Sequence, residues 1–376
     1  MTESLEELAH RHTQPADAVA GRFQPTGEAP RRTQAEIDAI HADLHFGTIF
    51  TDHMAHTTWT PELGWHDHRL EPYGPLQLAP SAAVLHYSQE IFEGLKAYRH
   101  PDGSVWTFRP GYNAVRMNAS ARRMAMPEIE PADFLASLVD VVRADAAYVP
   151  SLPGSALYLR PFMFASEEFL GVRASHRYEF MTIASPVGPL FNASFSPVAI
   201  WVVRDYHRAC PGGTGEAKTG GNYAAAVMPQ RLAAEKGYDQ VCFLDARTGK
   251  NIEELGGMNV FAVLDDGSII TPRLTGTILQ GGTRASILRL AADLGHPVRE
   301  EDIPLQRLVD GARCGEVKEL FACGTAAVIS AIGRLASDDF EVEFELGDVT
   351  QKLFHQLTGI QTGVVEDPYG WMYRIV

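Results

Sequence analysis

The chain has 376 residues, 45% of them hydrophobic and 21% charged, with a formal net charge of -15. Such a length and balance imply a globular protein of two domains, and the acidic excess argues against nucleic acid as a partner, because no surplus of cations is present to displace counterions. Four widely spaced cysteines without a Cys-x-x-Cys argue against a zinc ribbon or disulfide framework, and neither an apolar signal segment nor the ~20-residue apolar run of a membrane helix is apparent, so a cytoplasmic protein is expected.

In chain order, residues 1–45 are rich in Ala, Glu, Arg, Pro and Thr. They read as an N-terminal extension, laid over the surface or partly disordered, with one helix over 33–42. Residues 46–187 form a smaller α+β domain. Its expected strands are 84–87 and 156–164, and its expected helices 113–125 and 132–148. Residues 188–197 are turn-forming and lack helical period, which suits an interdomain loop. Residues 198–376 form a larger α+β domain. Here 198–203, 240–244, 259–264, 268–271 and 319–322 read as strands, and 224–234 and 284–294 as helices. Strands and helices interleave without regular βαβ units, so the class is α+β rather than doubly wound.

The stretch that organises the chain is Pro211-Gly-Gly-Thr-Gly-Glu-Ala-Lys-Thr-Gly-Gly-Asn-Tyr223. Lys218 lies among five glycines, in a turn just before a helix; the other five lysines have ordinary polar or helical neighbours. Glycine lets backbone approach a ligand closely, and a desolvated amine in such a turn is suited to Schiff-base formation. A glycine-rich surface loop with an incidental lysine is the plainer reading. A nucleotide phosphate loop fails at Ala217, where the motif requires glycine before lysine.

Further on, Glu253 and Glu254 precede the pair Gly256-Gly257 and a strand; a surface turn also explains them. The turn Gly276-Thr-Ile-Leu-Gln-Gly-Gly-Thr-Arg284 leads into a helix and offers backbone N–H groups to an anion such as phosphate. Cys323-Gly-Thr-Ala-Ala-Val328 is a second small-residue turn after a strand, compatible with phosphate contact or plain packing.

Taken together, these stretches resemble the branched-chain aminotransferases, pyridoxal-phosphate (PLP) enzymes of fold type IV. The resemblance runs from about His53 to Trp371. It is carried by His86-Tyr87 with Phe92-Glu-Gly-Leu-Lys-Ala-Tyr98, Leu157-Tyr-Leu-Arg-Pro161, Gly212-Gly-Thr-Gly215 with Lys218 and Gly220-Gly-Asn-Tyr223, Glu254 with Gly257-Met-Asn259, and Gly324-Thr-Ala326. It implies a two-domain fold-type IV aminotransferase that moves the amino group of leucine, isoleucine or valine to 2-oxoglutarate. Lys218 would hold PLP as a Schiff base and move the proton. Tyr223 would bond the phenolic oxygen, and Glu254 would pair with the pyridine nitrogen. Arg116, Thr283, Thr325 and the Gly282 N–H would bind the phosphate, and Arg208 would lie beside the cofactor. Tyr87, Phe92, Tyr158, Arg160, Gly257, Thr325 and Ala326 would line the substrate pocket. Leu170 and Val172 would reach into the pocket of a partner subunit, so a homodimer is implied.

Residue by residue, plainer readings stand beside these. Tyr158 and Arg160 alternate on a strand and share a face, as packing and a salt bridge would also require. Phe92 and Tyr87 also read as core residues, Arg122 and Arg123 lie close to Arg116, and Glu253 competes with Glu254. The chain departs from the family pattern at Leu279-Gln280-Gly281, where Leu-Pro-Gly is usual, and at Leu190, where an aromatic residue is common; both bear on the substrate end. Ala327 and Ser330 replace a redox Cys-x-x-Cys, so thiol regulation of that kind is not expected. Rival readings are a fold-type IV paralogue (a D-amino-acid or specialised-metabolism aminotransferase, or an aminodeoxychorismate lyase) and, from another class, a non-catalytic phosphate- or nucleotide-binding module.

Overall fold

Both long helices of the N-terminal half, Pro110–Arg123 and Pro131–Ala144, begin with proline. Proline suits that position, because the first helical N–H groups have no intrahelical acceptor and the ring pre-sets φ. The second helix buries Phe134, Leu135, Leu138, Val139, Val141 and Val142. These residues recur at helical spacing and turn one stripe to the sheet below. At about 1.5–3 kcal/mol for each large apolar side chain removed from water, this stripe is a main support of the N-terminal core.

The structure, a computed structural model, describes residues 4–188 and 196–376. The chain divides into two units: unit one takes residues 1–190, 217–219 and 359–376, and unit two takes 191–216 and 220–358. Leu190 and most of the expected interdomain loop 188–197 lie outside the described residues.

Unit one is built on a nine-stranded sheet. In spatial order it runs Gln24–Pro25, Gly64–Pro72, His53–Thr60, Tyr178–Val187, Ala156–Ala165, Leu95–Arg99, Val105–Phe108 and Met372–Arg374, with Glu90–Phe92 also paired to Ala156–Ala165. Nearly all its pairs are antiparallel. Unit two holds a ten-stranded sheet that mixes parallel and antiparallel pairs. Its centre is Asn259–Leu264, Val317–Gly324, Val328–Ser337, Val198–Val203 and Gln240–Leu244 in spatial order. Its core is lined by Ile200, Val202, Leu255, Val260, Leu320 and Ile332.

The division differs from the sequence expectation in three places. Residues 4–45, expected to lie over the surface or be partly disordered, are anchored in unit one. Helices Leu5–His12 and Gln34–Ala42 each start with a reciprocal capping box, Ser4 with Glu7 and Thr33 with Glu36. Val19, Phe23 and Ile37 are buried in the unit-one core, and Asp140 accepts the N–H groups of Gly21 and Phe23 at 2.7 and 3.0 Å. Each short element buries only one or two apolar residues, too few to give a readable period. The C-terminal end, 359–376, belongs to unit one: Met372–Arg374 pairs antiparallel with Val105–Phe108, and Ile375 enters the core. The segment Ala217–Thr219 also clusters with unit one. One element changes type: 84–87, expected as a strand, is a single helical turn closed by Ser88 at φ 48°. None of its four residues is buried, so the β-favouring side chains had no sheet face to fill.

Candidate active site

Lys218 has no helix or strand to hold it. Its backbone is fixed instead on both sides. The Lys218 N–H donates to Ser120 Oγ at 2.9 Å, and the Lys218 carbonyl accepts the Phe92 N–H at 2.9 Å. Thr219 Oγ1 donates to Glu90 Oε1 at 3.4 Å. The amine Nζ lies 4.9 Å from the centroid of the Phe92 ring. All these partners belong to unit one. The helix expected from 224 begins at Gly220, two residues after the lysine.

The helix Pro110–Arg123 carries Arg116, which is buried with a buried carboxylate, Glu93. Arg116 Nε and Nη2 donate to the two oxygens of Glu93 at 2.8 and 2.7 Å, a fork-to-fork pairing that fixes the plane of the guanidinium. Asn113 Nδ2 donates to Glu93 as well, at 2.8 Å. Arg122, by contrast, pairs with Glu128 at the surface. Arg116 is thus set apart by its burial.

Tyr158, Arg160 and Phe162 alternate along Ala156–Ala165 as its partly exposed positions. The Arg160 guanidinium lies 4.7 Å from the Phe92 ring centroid, and its Nη2 donates to the Tyr158 hydroxyl at 3.0 Å. Its Nε is buried and makes no hydrogen bond. A buried, unsatisfied guanidinium donor is costly, and a carboxylate is the ligand that satisfies it best. The Tyr158 hydroxyl sits over Gly94, where an added Cβ would come within 2.1 Å of it; only glycine leaves that space. Phe92, Tyr158, Arg160 and Lys218 therefore form one cluster within unit one. Tyr87 joins another, its hydroxyl donating to the Leu170 carbonyl. Leu170 and Val172 are 63% and 87% exposed.

In unit two, the strand Asn251–Leu255 places Glu253 and Glu254 in succession. Neighbouring strand residues point to opposite faces, and the two carboxylates accordingly have different partners. Glu254 is buried against Arg208, accepts the Leu279 N–H at 3.0 Å, and receives Asn259 Nδ2 at 3.4 Å. Arg208 Nη2 also donates to the carbonyls of Gly215 and Thr277, each at 2.9 Å. Glu253 accepts from the Thr277 hydroxyl, and burial pushes its carboxyl above the usual carboxylate range against the opposing effects of Thr277 and Arg208. Tyr223 lies in the first turn of Gly220–Glu235, and its ring passes close enough to Gly257 that an added Cβ would be 3.6 Å from Cε1.

The helix Gly282–Asp293 begins after Gly281, with Thr283 as its second residue. Gly281 has no room for a side chain: a Cβ would meet Asn259 Oδ1 at 2.1 Å. The Asn259 carboxamide thus ties this helix start to Glu254, since its Nδ2 also donates to the Leu279 carbonyl at 3.1 Å. Gln280, the departure from the family turn, falls between those two anchors. Thr325 and Ala326 are half-buried in the turn joining Val317–Gly324 to Val328–Ser337. That turn ends on Val328 at φ 61°, a left-handed conformation uncommon for a β-branched residue.

Glu93 and Ser120 were given no role from the sequence. For Glu93 a signal existed, because a carboxylate inside the apolar run Ile91-Phe92-Glu93-Gly94-Leu95 needs a buried partner. Ser120 is one small polar residue within a helix and carried no signal. Among the described residues no group of His, Cys, Asp and Glu is arranged to hold a metal ion. No helix among them is long and apolar enough to cross a membrane.

Comparison with known proteins places the chain in a family. The family model described as "Amino-transferase class IV" matches residues 90–335. The branched-chain-amino-acid aminotransferase of Mycobacterium tuberculosis (strain CDC 1551 / Oshkosh) is 48% identical over 350 residues, spanning 91% of this chain and 95% of that protein. A probable branched-chain-amino-acid aminotransferase of Streptomyces coelicolor is 50% identical over 347 residues, with 91% and 96% covered. Among solved structures, the Escherichia coli branched-chain amino acid aminotransferase superposes with a TM-score of 0.71 at 26% identity, covering 86% of this chain and 100% of that one. The fold is that of the fold-type IV aminotransferases, and the chain is a transaminase. It belongs to the amino-transferase class IV family and, within it, groups with the branched-chain-amino-acid aminotransferases.

Proposed function

We propose that this transaminase moves the amino group of leucine, isoleucine or valine to 2-oxoglutarate, with PLP held on Lys218. The observation that carries the reading is the unit-one cluster: an amine over the Phe92 ring, with the Arg160 guanidinium on the same ring and its buried Nε unsatisfied. Such a pocket offers an apolar aromatic wall to an aliphatic side chain and a cation to the second carboxylate of 2-oxoglutarate. Both substrates require the same space in turn.

The donor set fits PLP. A buried carboxylate, Glu254, suits a protonated pyridine nitrogen, and the N–H groups at the start of Gly282–Asp293 suit a phosphate. Close-packed Gly281 keeps the backbone free of a side chain at that helix start, as Gly94 does beside the Tyr158 hydroxyl in unit one. When bound, PLP supplies the electron sink that lets the Cα–H bond of the amino acid break.

The remaining work falls to the chain. Lys218 Nζ takes the proton from Cα and returns one as general base and acid. Glu254 would hold the proton on the pyridine nitrogen, and Arg208 keeps that carboxylate in place. Tyr223 donates to the phenolic oxygen. Arg116, oriented by Glu93, would be the phosphate ligand of unit one, and Thr283, Thr325 and the Gly282 N–H would be those of unit two. Tyr158 and Arg160 take the carboxylate of 2-oxoglutarate, while Gly257, Thr325 and Ala326 border the α-carboxylate. Tyr87 and Phe92 line the side-chain end.

Exposed Leu170 and Val172 would complete the pocket of a second copy, making the working form a homodimer. The cysteines, all unpaired, fit a reducing cytoplasm. A panel of amino donors with 2-oxoglutarate, read as glutamate formed, tests the reading. Leucine, isoleucine and valine should exceed aspartate and D-alanine by at least tenfold. A D-amino acid or another donor heading the panel would replace the substrate assignment.

A further inference from the structure

Resting on the reading of Lys218 as the reacting amine, we propose that Ser120 is a positioning residue for it. Lys218 lies in a segment with no ladder of backbone hydrogen bonds, so its N–H must find an acceptor elsewhere. It finds the Ser120 hydroxyl at 2.9 Å, and Ser120 is 1% exposed. On the other side the Phe92 N–H holds the Lys218 carbonyl. Fixing both polar groups of one peptide residue fixes the direction in which Cα–Cβ leaves the backbone, and so the origin of the lysine side chain.

The same helix does a second job. Asn113, Arg116 and Ser120 stand three, four and seven residues apart on Pro110–Arg123, which places them on one face. Two of them hold Glu93 and the third holds Lys218. With ~1.5 Å of rise per residue, this helix sets a fixed separation between the phosphate-binding guanidinium and the backbone that carries the amine. Ser120 makes the helix a common ruler for both. A serine present only for packing would leave the Lys218 peptide to move independently of Arg116.

The test is amide hydrogen exchange at single residues in wild type and Ser120→Ala, on the full chain with and without PLP. We expect exchange at Lys218 to rise about tenfold, equivalent to ~1.4 kcal/mol, while the amides of Pro110–Arg123 stay within about twofold. Ser120→Cys, of similar size but a weaker acceptor, should fall between. In the PLP-loaded protein kcat should drop about tenfold with KM for leucine and 2-oxoglutarate little changed, because the amine and not the pocket is displaced. Unchanged Lys218 exchange in a PLP-binding protein would overturn the role of Ser120 alone, as would a rise shared equally by the whole helix. Failure of the wild type to take up PLP would instead overturn the assignment of Lys218 on which the role depends.

Discussion

Replacing Glu93 with glutamine tests whether the buried pair with Arg116 organises the site or only packs it. The carboxylate and the guanidinium are both buried, and two hydrogen bonds of 2.8 and 2.7 Å join them. Glutamine keeps the volume and one acceptor, but it turns an N–H toward the arginine and leaves a buried cation without its counter-charge. Removing one partner of such a pair costs about 3–5 kcal/mol; with one acceptor retained, the lower figure applies. For a unit of this size ~3 kcal/mol lowers the melting temperature by roughly 6–12 °C. The double variant Glu93→Gln/Arg116→Met removes both charges. It should recover most of the lost stability, because a buried ion pair can be replaced by apolar groups at little net cost. It should not recover PLP binding: losing a charge-assisted hydrogen bond worth ~1.5–3 kcal/mol weakens the phosphate by roughly tenfold to a hundredfold. Differential scanning calorimetry and PLP titration read the two effects separately. A Glu93→Gln protein melting within about 2 °C of wild type, or a double variant no more stable than the single one, would mean that the pair only packs the site.

Three further outcomes are expected. Glu254→Gln should slow the first half-reaction on the order of a hundredfold, as loss of a preorganised charge does, and Glu253→Gln should slow it less than tenfold; equal effects in stopped-flow absorbance would mean that the other carboxylate serves the cofactor. Gly94→Ala pushes a methyl into the Tyr158 hydroxyl and breaks its bond with Arg160, so KM for 2-oxoglutarate should rise roughly tenfold with KM for leucine nearly constant; a parallel rise would contradict the assignment of Arg160 to the carboxylate. At Glu179 burial alone would raise the pKa, but hydrogen bonds from His56, Thr58, Ser166 and Arg177 outweigh it and hold the carboxyl at about 2. Its value in the folded chain is therefore below the ~4.3 of an unfolded glutamate. The stability it contributes is complete above about pH 4.5 and is lost as pH falls toward 2. Urea midpoints between pH 6 and 3 should fall less steeply in Glu179→Gln, from a lower starting value, and parallel slopes would refute this.

What could be read from the sequence was local chemistry. Lys218 stood out because glycine density is a direct signature of close backbone approach. The start of Gly282–Asp293 was legible for the same reason. That Glu253 and Glu254 have different partners, Thr277 and Arg208, was not legible in the sequence. Long-range pairing was the illegible part. Nothing near Met372–Arg374 encodes its return to Val105–Phe108, and the anchors Val19, Phe23 and Ile37 are widely separated residues without a sustained apolar period. What distinguishes Arg116 from its neighbours is burial against Glu93, a residue 23 positions away in sequence.

The most direct test of the central claim is the near-visible absorbance of the purified protein before and after addition of leucine. A yellow band is expected that is lost on adding leucine, is restored by 2-oxoglutarate, and is absent from Lys218→Ala. A protein that stays colourless even after PLP is supplied would contradict the claim.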